Sequence, residues 1–191
     1  MSRRLSFLLC LLVVLTILCS SCVFAESTDY PWGMNEASVI RKMGKKGEED
    51  TLSSPGNLLL RYYGQHVSIF EANLVYAFRN DALFARMYGI EEEPSKSYTY
   101  LGEALSIKYG ISAEDTAVAQ DALKVLGLDV NKTTLEAVRN LGNIKYKTWT
   151  PSDNTNIVLV YVQTDEKQLT ALFYIQPSNI IPNKQYNFDG L

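Results

Sequence analysis

The first apolar stretch of the chain is continuous: Leu5 to Leu18 is broken only by Ser6, Cys10 and Thr16. Beyond residue 30 the pattern becomes periodic. Val39, Ile40 and Met43 share one side of a 3.6-residue repeat, which predicts a helix over about Asn35–Met43. Asn35 suits the N-cap, because its side-chain oxygen can accept from a free backbone N–H, and Gly44 suits a left-handed stop. The period then falls to two. Strands are predicted at about Leu58–Tyr63, at Val67–Phe78 with a break, and at Leu83–Tyr88. In the middle one Tyr76 and Phe78 point one way, Val75 and Ala77 the other, and Asn80-Asp81 is the turn signal before the next strand.

The same plan returns downstream. A helix over Tyr98–Tyr109 places Leu101 and Leu105 on one side, with Ala104 and Ile107 beside them, and Gly110 stops it. Strands follow at Ile144–Thr150, Asn156–Gln163 and Leu169–Gln176, with turns at Pro151–Asn154 and Thr164–Lys167. Apolar residues occupy both parities from Ile157 to Val162, so this strand reads as buried on both faces. Leu60-Arg61-Tyr62 matches Ile144-Lys145-Tyr146, Asn73-Leu74-Val75 matches Asn156-Ile157-Val158, and Leu83–Tyr88 matches Leu169–Tyr174. The expectation is an α+β fold: a mainly antiparallel sheet built from two helix-plus-three-strand repeats, with helices on one face. Repeat one covers about 31–90 and repeat two about 97–176, within a single domain of 26–176. Repeat two carries a helical insertion at 112–142. Ser112 with Asp115 resembles a capping box before an apolar stripe of Ala117, Val118, Ala122, Val125 and Leu126. Thr133 with Glu136 is a second box, before Leu135, Val138 and Leu141. This inserted pair is expected either to cap the sheet, the plainer reading, or to form a partner surface. A tail, 177–191, ends the chain.

The continuous apolar run changes the picture of location. Arg3 and Arg4 precede it and Val23-Phe24-Ala25 supplies small residues after it, the order of a secretory signal. Cleavage is expected after Ala25, leaving a periplasmic or secreted domain with no transmembrane span. Cys22 after Ser20-Ser21 offers a lipid-anchor site, but Cys19 stands where a lipobox usually has Leu, so the anchor is not favoured. All three cysteines lie within the signal, and the domain after cleavage has neither disulfide nor thiol nucleophile. It would hold 16 Lys and Arg against 21 Asp and Glu, and it lacks the basic footprint of a nucleic-acid binder.

Candidate chemistry is sparse. His66 is the sole histidine, too few for a usual zinc site, and a lone histidine at a strand entrance is ordinary. The carboxylate pairs Glu48-Glu49 and Asp165-Glu166 sit in polar segments, and the glycines form no phosphate loop. No catalytic, cofactor-binding or metal residue is assigned, and no cofactor is expected. Aromatic residues are the more informative set. Trp32 and Trp149 flank predicted elements, and Tyr62, Tyr63, Tyr88, Tyr146 and Tyr174 lie in strands. Each tryptophan reads as a plug at the end of the core or as an interface residue; were one sheet face left uncovered by helices, the tyrosines would form an aromatic concave surface, and these seven are the candidate binding surface.

The opening Tyr30-Pro31-Trp32-Gly33-Met34-Asn35, the short helix ending at Gly44, Lys108-Tyr109-Gly110 and Trp149 together resemble a group of small exported bacterial proteins of uncharacterised role. The helix-then-strands layout is also similar to the fold of the β-lactamase-inhibitor protein and the small lipoprotein of the outer-membrane assembly machine. Those proteins bind other proteins and catalyse nothing. The resemblance implies a non-catalytic protein-binding module of the cell envelope or exterior. The alternatives are a carrier for a lipid or sugar and, behind it, a carboxylate-based hydrolase.

Overall fold

A computed structural model describes residues 30–54, 56–125, 135, 143–153 and 155–176. Among these residues three helices pack on one seven-stranded antiparallel sheet. The chain runs α1 (Glu36–Met43), β1 (Glu48–Glu49), β2 (Asn57–Val67), β3 (Phe70–Arg79), β4 (Ala82–Ile90), α2 (Pro94–Tyr109), α3 (Thr116–Val125), β5 (Ile144–Trp149), β6 (Asn156–Gln163) and β7 (Gln168–Ile175). The sheet order is β1-β2-β3-β4-β7-β6-β5. Two three-strand meanders, β2–β4 and β5–β7, therefore meet through their last strands, with Met87 opposite Phe173 and Arg86 opposite Tyr174.

Strict alternation divides the core in two. Leu60, Tyr62, Leu74, Tyr76, Tyr88, Ile157, Leu159, Leu172 and Tyr174 pack with Val39 of α1 and Leu101 and Leu105 of α2. Their neighbours in sequence, among them Leu59, Val75, Ala85, Val158, Ala171 and Phe173, pack with Ala119, Ala122 and Val125 of α3 and with Leu135. The sheet is thus covered on both faces, as the apolar residues on both parities of β6 predict. Each fully buried Leu contributes about 1.5–3 kcal/mol from removal of its apolar surface from water. The α1 and α2 helices share one face, and the inserted α3 caps the opposite one. The second inserted helix expected from sequence, the signal segment and the tail lie outside the described residues, apart from Leu135.

Helix α1 begins and ends as its sequence requires. Asn35 accepts from the Ser38 N–H at 2.9 Å, and Gly44 closes the helix with φ +71°. Helix α2 starts a turn earlier than its apolar spacing predicts, with Pro94 at the first turn, where its missing N–H is no loss. It buries Ser97, Leu101, Gly102 and Leu105, whereas Ile107 is exposed. At α3 the capping residue is Asp115, whose carboxylate accepts from Ala117 N–H and Val118 N–H at 2.9 and 3.2 Å. Ser112 does not cap it.

The largest departure is at β2 and β3. What reads as one broken strand from Val67 to Phe78 is the end of β2, a turn at Ser68-Ile69, and β3. Ser68 carries φ +58°, which its apolar neighbours conceal. The polar Gly64-Gln65-His66 does not end β2, because a bulge between Tyr62 and Gln65, with Gly64 at φ +64°, lets the ladder resume. Glu48 and Glu49 form β1 instead of a loop, and Asp50 beyond them is buried, hydrogen-bonded and ion-paired to Arg61. Burial works against the Arg61 charge, yet the hydrogen bond and charge of Asp50 outweigh it and hold its pKa above the ordinary value. No described helix is long and apolar enough to cross a membrane.

Candidate functional site

The aromatic residues singled out by sequence do not meet on an exposed surface. Tyr62, Tyr88, Trp149 and Tyr174 are buried in the core beneath α1 and α2, and Tyr146 is buried in the core on the other face. Trp32 is half-buried against the first core, and only Tyr63, 49% exposed, faces solvent. Both indole N–H groups and the Tyr146 hydroxyl find partners inside. Trp149 Nε1 donates to the Gly110 carbonyl at 3.1 Å, Trp32 Nε1 to Thr155 Oγ1 at 3.2 Å, and the Tyr146 and Thr116 hydroxyls lie 2.9 Å apart. Tyr62 meets Tyr76 edge-on at 5.8 Å, and Tyr88 meets Tyr174 at 6.4 Å. Burial pushes the Tyr62 phenol pKa above its usual value.

A residue that sequence reasoning missed organises part of this set. Arg86 in β4 is 3% exposed, and its guanidinium lies 4.6 Å from the Trp32 ring centre and 5.9 Å from that of Tyr174. A desolvated cation over aromatic faces is held by their negative quadrupoles, worth about 2 kcal/mol. The cluster joins the segment before α1 to the β4–β7 seam and closes one end of the core. Its sequence signal was a single arginine amid Leu83–Tyr88.

Other candidate chemistry stays dispersed. His66 is exposed, with Glu71 opposite it in the ladder. Glu48, Glu49, Asp165 and Glu166 are exposed as well. Among the described residues no three His, Cys, Asp or Glu side chains are grouped to hold a metal ion.

A concave feature among the described residues lies at the start of α1. A cleft of about 450 Å³ opens between the first turn of α1, the end of β1, the turn preceding β2, and the β3–β4 turn. Three backbone devices shape it. Asn80 and Asp81 take positive φ of 49° and 64°, the geometry of a tight hairpin turn whose twist matches the strands. Asp81 then reaches over to accept the Glu36 N–H at 2.8 Å, pinning the turn to the helix. Asn80 N–H donates to the Gly56 carbonyl at 2.9 Å, and Ser54 and Asn57 exchange two backbone hydrogen bonds at 2.8 Å each. Ile40, Leu58 and Phe78 give its lining an apolar part, and Glu36, Glu49 and Asp81 an acidic one. None of the described lining residues is Lys or Arg. Lys46 stands nearby, 3.9 Å from Glu36. Within the wall, Asn57 Oδ1 is buried and makes no hydrogen bond. The arrangement can hold a group that is apolar along its length and positive at its end; it offers no nucleophile and base in contact.

No known protein family matches the chain, and neither a curated protein nor a solved structure is significantly similar to it.

Proposed function

We propose that this chain is a non-catalytic protein-binding module of the cell envelope or exterior, and that its binding face is the cleft at the start of α1. The observation that carries the reading is the cleft itself: a concavity lined by three carboxylates and three large apolar side chains, with hydrogen-bonded turns in its wall. Export rests on the N-terminal charged-apolar-small order, and the preferred form is a domain released after Ala25. Tyr62, Tyr88, Tyr146, Trp149 and Tyr174 are reassigned from binding surface to core, so the partner is sought at the cleft.

Descent of the two meanders from one duplicated unit belongs to the same proposal. Leu74 opposes Tyr88 in one meander and Ile157 opposes Tyr174 in the other, which supports the sequence matches of those strands. In the first strands the counterpart shifts. Tyr62 opposes Leu74, and it is Trp149 that opposes Ile157, so Trp149 stands where Tyr62 stands. Matching Tyr62 to Tyr146 is off by three residues. An odd shift turns the side chain to the other face, where Tyr146 is found.

The test is retention of native envelope proteins on the immobilised chain. A partner held by the wild type and by Tyr63→Ala, lost by folded Ala37→Arg, and rebinding after purification fits the reading. Ala37 is exposed in the cleft wall, so the new arginine fills the cleft and neutralises its rim. Equal retention by Ala37→Arg contradicts it. The small-ligand alternative has one observation in favour, since the volume falls in the range of roughly 300–1,000 Å³ typical of small-molecule sites. Ala37-sensitive binding of a lipid or sugar, with no protein retained, would favour that carrier.

A further inference from the structure

We infer that the cleft receives a lysine or arginine side chain presented by the partner protein. The inference rests on the protein-binding reading and narrows it to the chemistry of the contact.

Charge sets the sign. Glu36, Glu49 and Asp81 come from α1, β1 and the β3–β4 turn, and no cationic residue is among the described lining. Asp81 spends one carboxylate oxygen on the Glu36 N–H, and Lys46 sits at the outer limit of ion-pair distance from Glu36. Glu49 is exposed on the two-residue strand at the sheet edge.

Shape and polarity set the class. A bare divalent cation wants several oxygens converging at about 2.0–2.6 Å. The acids here share their lining with the apolar surface of Ile40, Leu58 and Phe78 instead. A metal gains nothing from that surface, whereas the methylene stem of lysine or arginine is suited to lie on apolar surface with its charged head among carboxylates. An anionic or wholly apolar ligand would be opposed by the rim or would bury its charges without reward.

The experiment is an NMR titration of the isotope-labelled full chain with the methylamide of Nα-acetyl-lysine and with that of Nα-acetyl-arginine. The norleucine and glutamine analogues serve as uncharged controls. The expected result is saturable shifts confined to the amides of Ala37, Ile40, Gly56, Asn57, Asn80 and Asp81, for the two cationic compounds alone. Glu36→Gln with Glu49→Gln should weaken this binding about fivefold, in keeping with two partly exposed charge contacts. Thermal melts establish that the variant is folded, and Ala37→Arg, which leaves every carboxylate in place, gives a second route to the same loss. Added salt should weaken the cationic compounds and leave the controls unmoved. Equal binding by norleucine, shifts spread over the acidic surface, or an unaltered response in both variants would overturn the inference. If that occurred while a protein partner was still lost by Ala37→Arg, the binding face would stand and only its preference for a basic side chain would fall.

Discussion

Around Arg86 and at the start of α1 the molecule uses charge in opposite ways. The Arg86 guanidinium is drawn inside between Trp32 and Tyr174, and the indole N–H groups of Trp32 and Trp149 are bonded to other parts of the chain. At the cleft, acidic side chains from three elements share a concave lining with apolar ones. The first region has turned its sticky groups on itself, which makes it part of the fold. The second leaves carboxylates exposed beside apolar side chains, and the binding proposal rests on it. An abundance of aromatic residues in strands therefore tells of a core before it tells of an interface.

This contrast can be broken by mutation, beginning where the effect should be greatest. Trp149→Ala removes a buried ring and its hydrogen bond to Gly110, and should cost about 3–5 kcal/mol. Calorimetry should show a fall in Tm of roughly 10 °C. Binding of the lysine compound, measured below the new Tm, should be unchanged. A stable Trp149→Ala protein would remove the ring from the core and reopen the aromatic surface. Gly47→Ala should follow at about 1–3 kcal/mol. The added Cβ would lie 2.7 Å from the Tyr62 ring and 2.9 Å from the Arg61 carbonyl, and the backbone cannot step aside cheaply. A lowered urea midpoint with an unchanged slope is the expected outcome.

Burial of tyrosine should also be visible in the alkaline limb of stability. The Tyr62 and Tyr109 phenols are raised above 10.0 chiefly by burial, so the unfolded chain loses these protons first. Their stabilising contribution is whole below pH 10 and is lost as pH rises through the folded values. Lys108, lowered by burial from 10.5, acts in the opposite sense, regaining stability as pH rises past its folded value. Tyr62→Phe should flatten the decline above pH 10 in chemical-denaturation series, whereas an unaltered decline would place that phenol in water. Asn35→Ala should cost about 1 kcal/mol by leaving the Ser38 N–H without its cap, read as a small drop in Tm. Smallest of all, Glu49→Gln should move stability by no more than about 0.5 kcal/mol while weakening the lysine compound. A marked loss of stability would make Glu49 part of the fold.

Much of the architecture is legible in the order of residues. Val75 and Ala77 against Tyr76 and Phe78 reveals two buried faces, Asn35 and Gly44 bracket α1, and Asn80-Asp81 marks its turn. Where reading fails, a local signal is overruled by geometry that sequence does not carry. Ser68 turns the chain within an apolar run because a left-handed residue suffices, and Gly64 keeps β2 going through a polar patch by way of a bulge. Trp149 rather than Tyr146 corresponds to Tyr62 in the ladder, a shift only the register reveals. The cleft is harder still to see. Glu36, Glu49 and Asp81 are distant in sequence, and only the contact of Asp81 with the Glu36 N–H reports that they gather.

The measurement that bears most directly on the cleft as binding face is site-specific photo-crosslinking in cells that make the protein. A photoreactive side chain is placed at Ala37, in the cleft wall, or at Tyr63, the exposed member of the aromatic set. One discrete protein adduct from position 37, absent from position 63 and abolished by Glu36→Gln with Glu49→Gln, is the expected result. An adduct from position 63 with none from position 37 would contradict the assignment and return the binding face to the β2 edge.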